Sequence, residues 1–180
     1  EFEILVPPTY APGIPYQVAI VDSAGRGYDR LLVSPGKDAG QAVASLGVGE
    51  LSDWVTETFA TEPSSRRGRF RFQLIELAPD ARRLGLYVSA INTAEPYTDP
   101  PEITPALEAA AGPYMEVDDP WIYMDGWADL GVYLDQLDAH ALWWAKATRY
   151  ALQNHEWDMA FSWVGTIDHM QHVMYGAIEP

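Results

Sequence analysis

A short apolar run near the end of the chain constrains the fold more than any other feature. Residues 159–164 read Met-Ala-Phe-Ser-Trp-Val and carry no charge. A run that is apolar on both faces is typical of a central strand in a parallel sheet, because helices cover both faces of such a sheet. The sequence therefore predicts a β-strand over Met159–Val164.

Helical patterns stand on both sides of this predicted strand. From Ala128 to about Asn154 one stripe repeats with the helical period, and it contains Leu130, Leu134, Leu137, Ala141, Trp144, Thr148 and Ala151. After the strand, Gly165 and Thr166 turn the chain into a second predicted helix over Asp168–Tyr175. Residues 128–180 are therefore expected to form a helix–strand–helix segment, one slice of a doubly wound α/β core.

The first half of the chain has the features of antiparallel β-structure. Phe70, Phe72 and Leu74 alternate with polar residues, which is a period of two, and turn residues separate the other candidate strands. The predicted strands are Tyr16–Asp22, Asp29–Ser34, Leu51–Phe59, Arg69–Leu77 and Leu84–Ile91. Their close spacing favours hairpins over βαβ units.

A Pro-rich passage joins the two halves. In it, Thr104, Pro105 and Gly112 have the placement of an N-cap, a first-turn proline and a C-terminal stop, which predicts a short helix. We therefore expect an α+β protein of three parts. These are a β-rich, cap-like insert (residues 1–92), a connector with a short helix (residues 93–127) and a helix–strand–helix core segment with a metal motif (residues 128–180).

The strongest chemical signal follows the predicted strand. Asp168 and His172 are four residues apart, so on a helix they lie on one face. A carboxylate and an imidazole are both good ligands for a divalent metal ion. Asp168 would also stand just past the carboxyl end of the strand, where α/β folds place their sites. The alternative is that Asp168 only caps the helix and that His172 is an ordinary surface residue.

The end of the chain resembles the type I phosphodiesterase/nucleotide pyrophosphatase branch of the alkaline phosphatase superfamily. The resemblance starts at Trp157-Asp158, continues through Gly165-Thr166-Ile167-Asp168-His169-Met170-Gln171-His172 and closes at Glu179-Pro180. Four further stretches resemble predicted phosphohydrolase and phosphomutase relatives of that branch: residues 22–30, 49–54, 69–72 and 86–89. They look like the region that such relatives insert ahead of the metal motif.

The resemblance implies a site with two divalent ions, expected to be zinc, at which a Thr or Ser attacks a phosphate-ester substrate. In that family a buried strand delivers an Asp, and a His four residues later binds the same ion. Asp168 and His172 match these positions, and His169 is a candidate for a residue that contacts a ligand rather than the ion. The nucleophile and the remaining ligands have no match. We therefore expect a piece of a longer phosphohydrolase, which by itself is inactive and holds no metal.

Charge and composition exclude several kinds of partner. Net charge is −15, and residues 84–180 hold 15 acidic and 2 basic side chains. Because an acidic surface repels the phosphate backbone of nucleic acids, we expect no nucleic-acid partner. No apolar run reaches the roughly 20 residues that span a bilayer, so we expect no membrane partner either. The lack of cysteine excludes disulfides and thiolate ligands. Nothing in the sequence names a compartment, and the cytoplasm is the default expectation.

Two hypotheses about partners remain open at this point. If the neighbouring strands of the sheet lie outside the chain, the apolar run is exposed, and a homodimer through this surface is expected. The competing hypothesis is a self-contained, non-catalytic binding or interaction module, in which Asp168 is only a helix cap.

Overall fold

A computed structural model of the chain describes residues 1–6, 12–115 and 118–178. It has antiparallel sheets in the first half and helices in the second, which confirms the α+β class. The chain divides into two compact units, Glu1–Glu95 and Pro96–Pro180. From residue 96 onward, the predicted connector belongs to the second unit. The pair Glu179-Pro180, which closes the stretch compared above with the phosphodiesterase branch, lies outside the described residues.

The first unit is built from antiparallel sheets. The largest has the order β1-β2-β3-β4, with β1 Phe2–Val6, β2 Ile14–Val21, β3 Arg30–Ser34 and β4 Ala44–Leu46. The next has the order β5-β6-β9, with β5 Val55–Ala60, β6 Ser65–Phe70 and β9 Asn92–Thr93. A hairpin pairs β7 Phe72–Leu77 with β8 Leu84–Val88. The sequence did not predict β1, β4 or β9, and two predicted strands, Leu51–Phe59 and Leu84–Ile91, are shorter than expected.

The prediction of one continuous strand over Arg69–Leu77 is wrong. One strand ends at Phe70 and the next begins at Phe72, so the chain leaves one sheet and enters another at Arg71. The side chain of Arg71 donates from Nε to the carbonyl oxygen of Ser52 at 2.6 Å. Alternation of apolar and polar residues continues through this position, so a period of two could not reveal the change of sheet.

An aromatic cluster fills the core of the first unit. Tyr16, Phe59, Phe70 and Phe72 are buried, and the ring of Tyr16 meets those of Phe70 and Phe72 edge-on at 6.2 and 5.5 Å. The hydroxyl of Tyr16 donates to Glu57 Oε1 at 2.5 Å, which ties β2 to β5. Burial, together with this hydrogen bond, raises the pKa of Tyr16, so the buried phenol stays neutral.

Gly68 is a close-packed position in the central strand β6. A Cβ atom there would lie 2.5 Å from Cγ2 of Ile91 and 3.0 Å from the ring of Phe59. Both distances are shorter than an ordinary carbon–carbon contact. The glycine in this arginine-rich strand is therefore explained by packing.

The second unit is helical in its described residues. Its helices are α1 Thr104–Ala111, α2 Trp121–Met124, α3 Leu130–Asn154 and α4 Thr166–Ile178. The helices α1, α3 and α4 stand where the sequence predicts helices. Asp129 caps α3, because its side chain accepts a hydrogen bond from the backbone N–H of Val132 at 3.1 Å. Among the described helices, none has both the length and the apolar character to cross a membrane.

The buried face of α3 differs from the predicted stripe. The buried residues are Tyr133, Leu137, His140, Trp143 and Ala147, and only Leu137 belongs to the predicted set. Trp143 packs against the rings of Tyr97 and Tyr114. Part of the predicted stripe instead lines an open apolar groove of about 500 Å³, whose walls include Ala141, Trp144, Thr148, Leu152 and Val164. Since α3 has apolar residues on more than one face, periodicity alone could not select the covered one.

The predicted strand Met159–Val164 is also wrong. Residues 157–164 have no regular secondary structure, and each of them is exposed. Side chains tether the segment to α3: Thr148 Oγ1 lies 3.1 Å from Ser162 Oγ, and Trp157 Nε1 donates to the carbonyl oxygen of Leu152 at 3.2 Å. The physical reason is the lack of neighbours, because residues 96–115 and 118–178 contain no strand with which this segment could pair. The segment between α3 and α4 is therefore irregular and pairs with no strand among the described residues.

Candidate functional site

The two predicted metal ligands lie together on the first turns of α4. Asp168 is in the first turn, and His172 follows one turn later. The distance from Asp168 Oδ1 to His172 Nε2 is 3.5 Å. Their side chains are 61% and 80% exposed, so both donor atoms are accessible to an ion from solvent. The structure thus brings together the pair that the sequence singled out.

The separation of these donors suits one shared metal ion. In a tetrahedral zinc site with bonds of about 2.0–2.2 Å, two donor atoms lie about 3.4 Å apart. The observed 3.5 Å between Asp168 Oδ1 and His172 Nε2 is close to that value. Within the described ranges, however, no group of three or more His, Cys, Asp or Glu residues could hold an ion. The pair has two of the four donors that a tetrahedral site needs.

His169 contacts a residue that the sequence did not single out. Its Nδ1 lies 2.6 Å from Oδ1 of Asp118, not beside the ligand pair. The side chain of Asp118 is fully buried, and that of His169 is 25% exposed. Tyr133, which is buried at the start of α3, donates its hydroxyl to Oδ2 of the same carboxylate at 2.9 Å. None of these hydrogen bonds and ion pairs joins the His169 ring to Asp168 or His172. That His169 contacts a metal ligand stays a prediction.

The Tyr133–Asp118–His169 chain fixes the start of α4 against α3. Burial, followed by the hydrogen bond to Asp118, raises the pKa of Tyr133, so its hydroxyl remains a neutral donor. The ring nitrogen Nδ1 of His169 faces the other oxygen of the same carboxylate across 2.6 Å. That arrangement holds the imidazole in one orientation and leaves Nε2 as the nitrogen available to another partner.

A tight turn precedes α4 and brings Trp163 next to His169. The two rings meet at a centroid distance of 6.1 Å and an angle of 71°. A Cβ atom on Gly165 would lie 2.5 Å from the Trp163 ring and 3.1 Å from Cε1 of His169. The glycine of the Gly165-Thr166 turn therefore leaves room for this ring contact.

The irregular segment before α4 has many exposed apolar side chains. The exposed fractions are Trp157 57%, Met159 71%, Phe161 92%, Trp163 66%, Val164 43% and Ile167 74%. Large apolar side chains exposed to this degree are candidates for contact with another molecule. An apolar surface thus lies directly beside the Asp168/His172 pair in sequence.

Sequence reasoning missed Asp118 and Tyr133 altogether. Asp118 lies in the Pro-rich passage 51 residues before His169, and no spacing rule connects the two. The sequence Asp118-Asp119-Pro120 ahead of α2 could have indicated a polar contact. Such a sequence is, however, also an ordinary helix start.

Comparison of the chain with family models, with curated proteins and with solved structures gave no significant match. A functional assignment therefore depends on the site geometry and on the motif in α4.

Proposed function

We propose that this chain supplies half of a metal site to a metal-dependent phosphohydrolase, similar to the type I phosphodiesterase/nucleotide pyrophosphatase branch of the alkaline phosphatase superfamily. One observation carries the proposal: Asp168 Oδ1 and His172 Nε2 are 3.5 Å apart, accessible and on one helix face. This is the spacing that two ligands of one zinc ion require. The Asp-x3-His motif of that family places its ligands at the same spacing in sequence.

The residues of this chain have distinct roles in the proposed site. Asp168 and His172 bind one divalent ion, expected to be zinc, as one of two ions. The contact between His169 and Asp118 fixes the first turn of α4, which carries Asp168. When bound, the ion supplies Lewis-acid polarisation of a phosphoryl oxygen. The nucleophile and the remaining ligands come from residues outside this chain, so the chain by itself is expected to be inactive.

The acidic surface of the second unit is consistent with cation binding. Residues 96–180 hold 14 acidic and 2 basic side chains, a net charge of −12. A field of this sign concentrates divalent cations and repels free phosphate esters. An anionic substrate would therefore bind after the metal has reduced the local charge.

The decisive experiment measures phosphodiesterase activity in a polypeptide that includes this chain with its flanking sequence. With bis(p-nitrophenyl) phosphate as substrate, Asp168→Ala and His172→Ala should each lower kcat/KM by at least about 100-fold, because a ligand change costs more than the 10–100-fold of an outer contact. His155→Ala is the matched control, since His155 is exposed and lies outside the site. Wild-type activity in Asp168→Ala would show that the proposal is wrong.

A second candidate function, a non-catalytic interaction module, is favoured by the exposed apolar segment 157–164. In that case Asp168 stabilises α4 only through its place in the first turn, where a negative charge is worth about 0.3–1 kcal/mol. Thermal unfolding of the longer polypeptide, with and without Zn²⁺, separates the two functions. A metal ligand predicts that Zn²⁺ raises the Tm of the wild type but not of His172→Ala, whereas a helix-stabilising Asp168 predicts no effect of Zn²⁺ on either.

A further inference from the structure

The open groove on α3 is a second candidate binding site in the helical unit. Its lining residues on α3 recur with the helical period: Ala141, Ala145, Thr148 and Leu152. Ser162 and Val164 line it from the segment before α4. The groove holds about 500 Å³, which lies within the roughly 300–1,000 Å³ of small-molecule sites.

Several polar atoms of the lining already have partners. Trp144 Nε1 donates to Nε2 of His140 at 2.9 Å, and His140 is only 1% exposed. The indole therefore uses its polar atom on the buried imidazole, and its carbon surface is left to line the groove. Thr148 Oγ1 and Ser162 Oγ lie 3.1 Å apart and form a hydrogen bond with each other. An occupant of this part of the groove therefore meets mainly carbon.

The groove is long for its volume. A helix rises about 1.5 Å per residue, so the lining from Ala141 to Leu152 extends about 16 Å along α3. With about 500 Å³ over this length, the mean cross-section is about 30 Å². Such a cross-section suits a single hydrocarbon chain. It is too small for an α-helix, which is about 10–12 Å wide with its side chains.

The groove also lies on the basic part of an acidic unit. Residues 96–180 hold 14 acidic and 2 basic side chains, and both bases, Lys146 and Arg149, stand one turn apart on α3. Between Asp138 and Glu156 the chain has no acidic residue. Neither base is in the last turn of α3, so the helix dipole does not account for them.

Of these two bases, Arg149 lines the groove. Among the residues that the structure describes, none forms an ion pair with its guanidinium. The residues three and four positions away on α3 include no acid that could neutralise it. An apolar groove with one unneutralised cation favours a ligand that has an apolar body and one negative charge.

We propose that the α3 groove, defined by Ala141, Trp144, Ala145, Arg149 and Leu152, binds a free fatty acid. The acyl chain lies along the alanines and the indole, and the carboxylate pairs with the guanidinium of Arg149. A phosphate monoester would bring a charge of about −1.5 to −2 into a unit that is already acidic, whereas one guanidinium balances one carboxylate. This site does not rest on the proposed phosphohydrolase function.

Calorimetric titration of the 180-residue chain with laurate, below the concentration at which laurate forms micelles, tests the site. We expect one laurate to bind per chain. Dodecyltrimethylammonium has a chain of the same length with a cationic head group, and acetate has the carboxylate without the chain. Each should bind at least about tenfold more weakly than laurate, because each lacks one of the two contacts.

The head-group contact has a matched pair of variants. Arg149→Gln should weaken laurate binding by about tenfold or more, since a charge-assisted hydrogen bond is lost. Lys146→Gln removes the same charge one turn away, but Lys146 does not line the groove. It should therefore change the affinity by less than about threefold, which is the effect of a distant surface charge.

The chain contact has its own pair. Ala145→Phe places a ring in the groove and should weaken laurate binding by at least about tenfold, which corresponds to about two CH₂ groups displaced from apolar contact. Ala139→Phe is the control, because Ala139 is also exposed on α3 but does not line the groove. Far-UV circular dichroism checks that both variants are folded.

Three results would overturn this assignment. They are no binding of laurate, equal binding of laurate and dodecyltrimethylammonium, and equal affinities of Arg149→Gln and Lys146→Gln for laurate. Wild-type affinity in a folded Ala145→Phe would place the ligand outside the groove and refute the site as well. If Ala145→Phe does not fold, the head-group comparison and Arg149→Gln decide the question. None of these results bears on the proposed function, because Arg149 and Ala145 are not among its ligands.

Discussion

A single carboxylate, that of Asp118, connects three separate stretches of the second unit. It lies between Tyr133 at the start of α3 and His169 in the first turn of α4, and its side chain is fully buried. No local pattern predicts this contact, because Asp118 and His169 are 51 residues apart. By contrast, the proximity of Asp168 to His172 could be predicted, since helical geometry alone fixes residues four apart. The proximity of Asp168 to His172 could therefore be predicted from the sequence. The contact of Asp118 with His169 could not.

Replacement of Asp118 should loosen the attachment of α4. Asp118→Ala leaves a buried phenol and a partly buried imidazole without their acceptor, so we expect the free energy of unfolding to fall by about 2–4 kcal/mol. Urea denaturation followed by tryptophan fluorescence measures this loss. Asp125→Ala is the matched control, because Asp125 is exposed and should cost less than about 0.5 kcal/mol. Equal losses in the two variants would contradict the structural role of Asp118.

At the scale of elements, sequence patterns predicted where helices lie better than they predicted which faces are covered and which strands pair. The helix α3 stands where periodicity places it, and α1 ends at Gly112 as predicted. The prediction that Thr104 is the N-cap of α1 is wrong, because Thr104 is its first helical residue and its hydroxyl accepts hydrogen bonds from the backbone N–H groups of Tyr97 and Thr98 instead.

The covered face of α3 was mistaken, because the open groove and the core use different apolar stripes of one helix. The run Met159–Val164 was expected to be a strand, but strand formation depends on neighbours that no local pattern can show. The same limit concealed the change of sheet at Arg71.

Because the side chains of segment 157–164 are exposed, they should contribute little to stability in a dilute, metal-free solution. Phe161→Ser should change the free energy of unfolding by less than about 0.5 kcal/mol, since Phe161 is 92% exposed. Trp143→Ala should cost about 3–5 kcal/mol, because Trp143 is only 5% exposed and packs on α1 and its neighbours. Chemical denaturation of the two variants in EDTA makes the comparison. A large loss in Phe161→Ser would mean that the segment is packed in solution.

At the scale of the whole chain, charge divides the two units as sharply as secondary structure does. Residues 1–95 hold 12 acidic and 9 basic side chains, a net charge of −3, whereas residues 96–180 reach −12. Repulsion between like charges therefore opposes folding of the second unit, and it opposes folding of the first unit much less. This difference could be read from composition alone, because it needs no knowledge of contacts.

Salt should consequently stabilise the two units unequally. On raising NaCl from low to physiological concentration, we expect the opening free energy of amides in α3 to rise by about 1 kcal/mol and that of amides in β2 and β3 to change much less. Hydrogen exchange followed by mass spectrometry reports both units in one sample. Sucrose at matched osmolality is the control, since an excluded osmolyte should stabilise both units. An equal response of both units to NaCl would rule out self-repulsion as the cause.

The close packing at Gly68 restricts which substitutions this position can accept. A methyl group there would strike Cγ2 of Ile91, whose branch lies next to the backbone and cannot swing away, and would press on the ring of Phe59. Ala at position 68 is therefore expected to fold only together with a residue at position 91 that lacks the branch and with a small shift of the Phe59 ring. A covarying pair at these two positions would identify distant relatives even where the arginines around Gly68 have all been replaced.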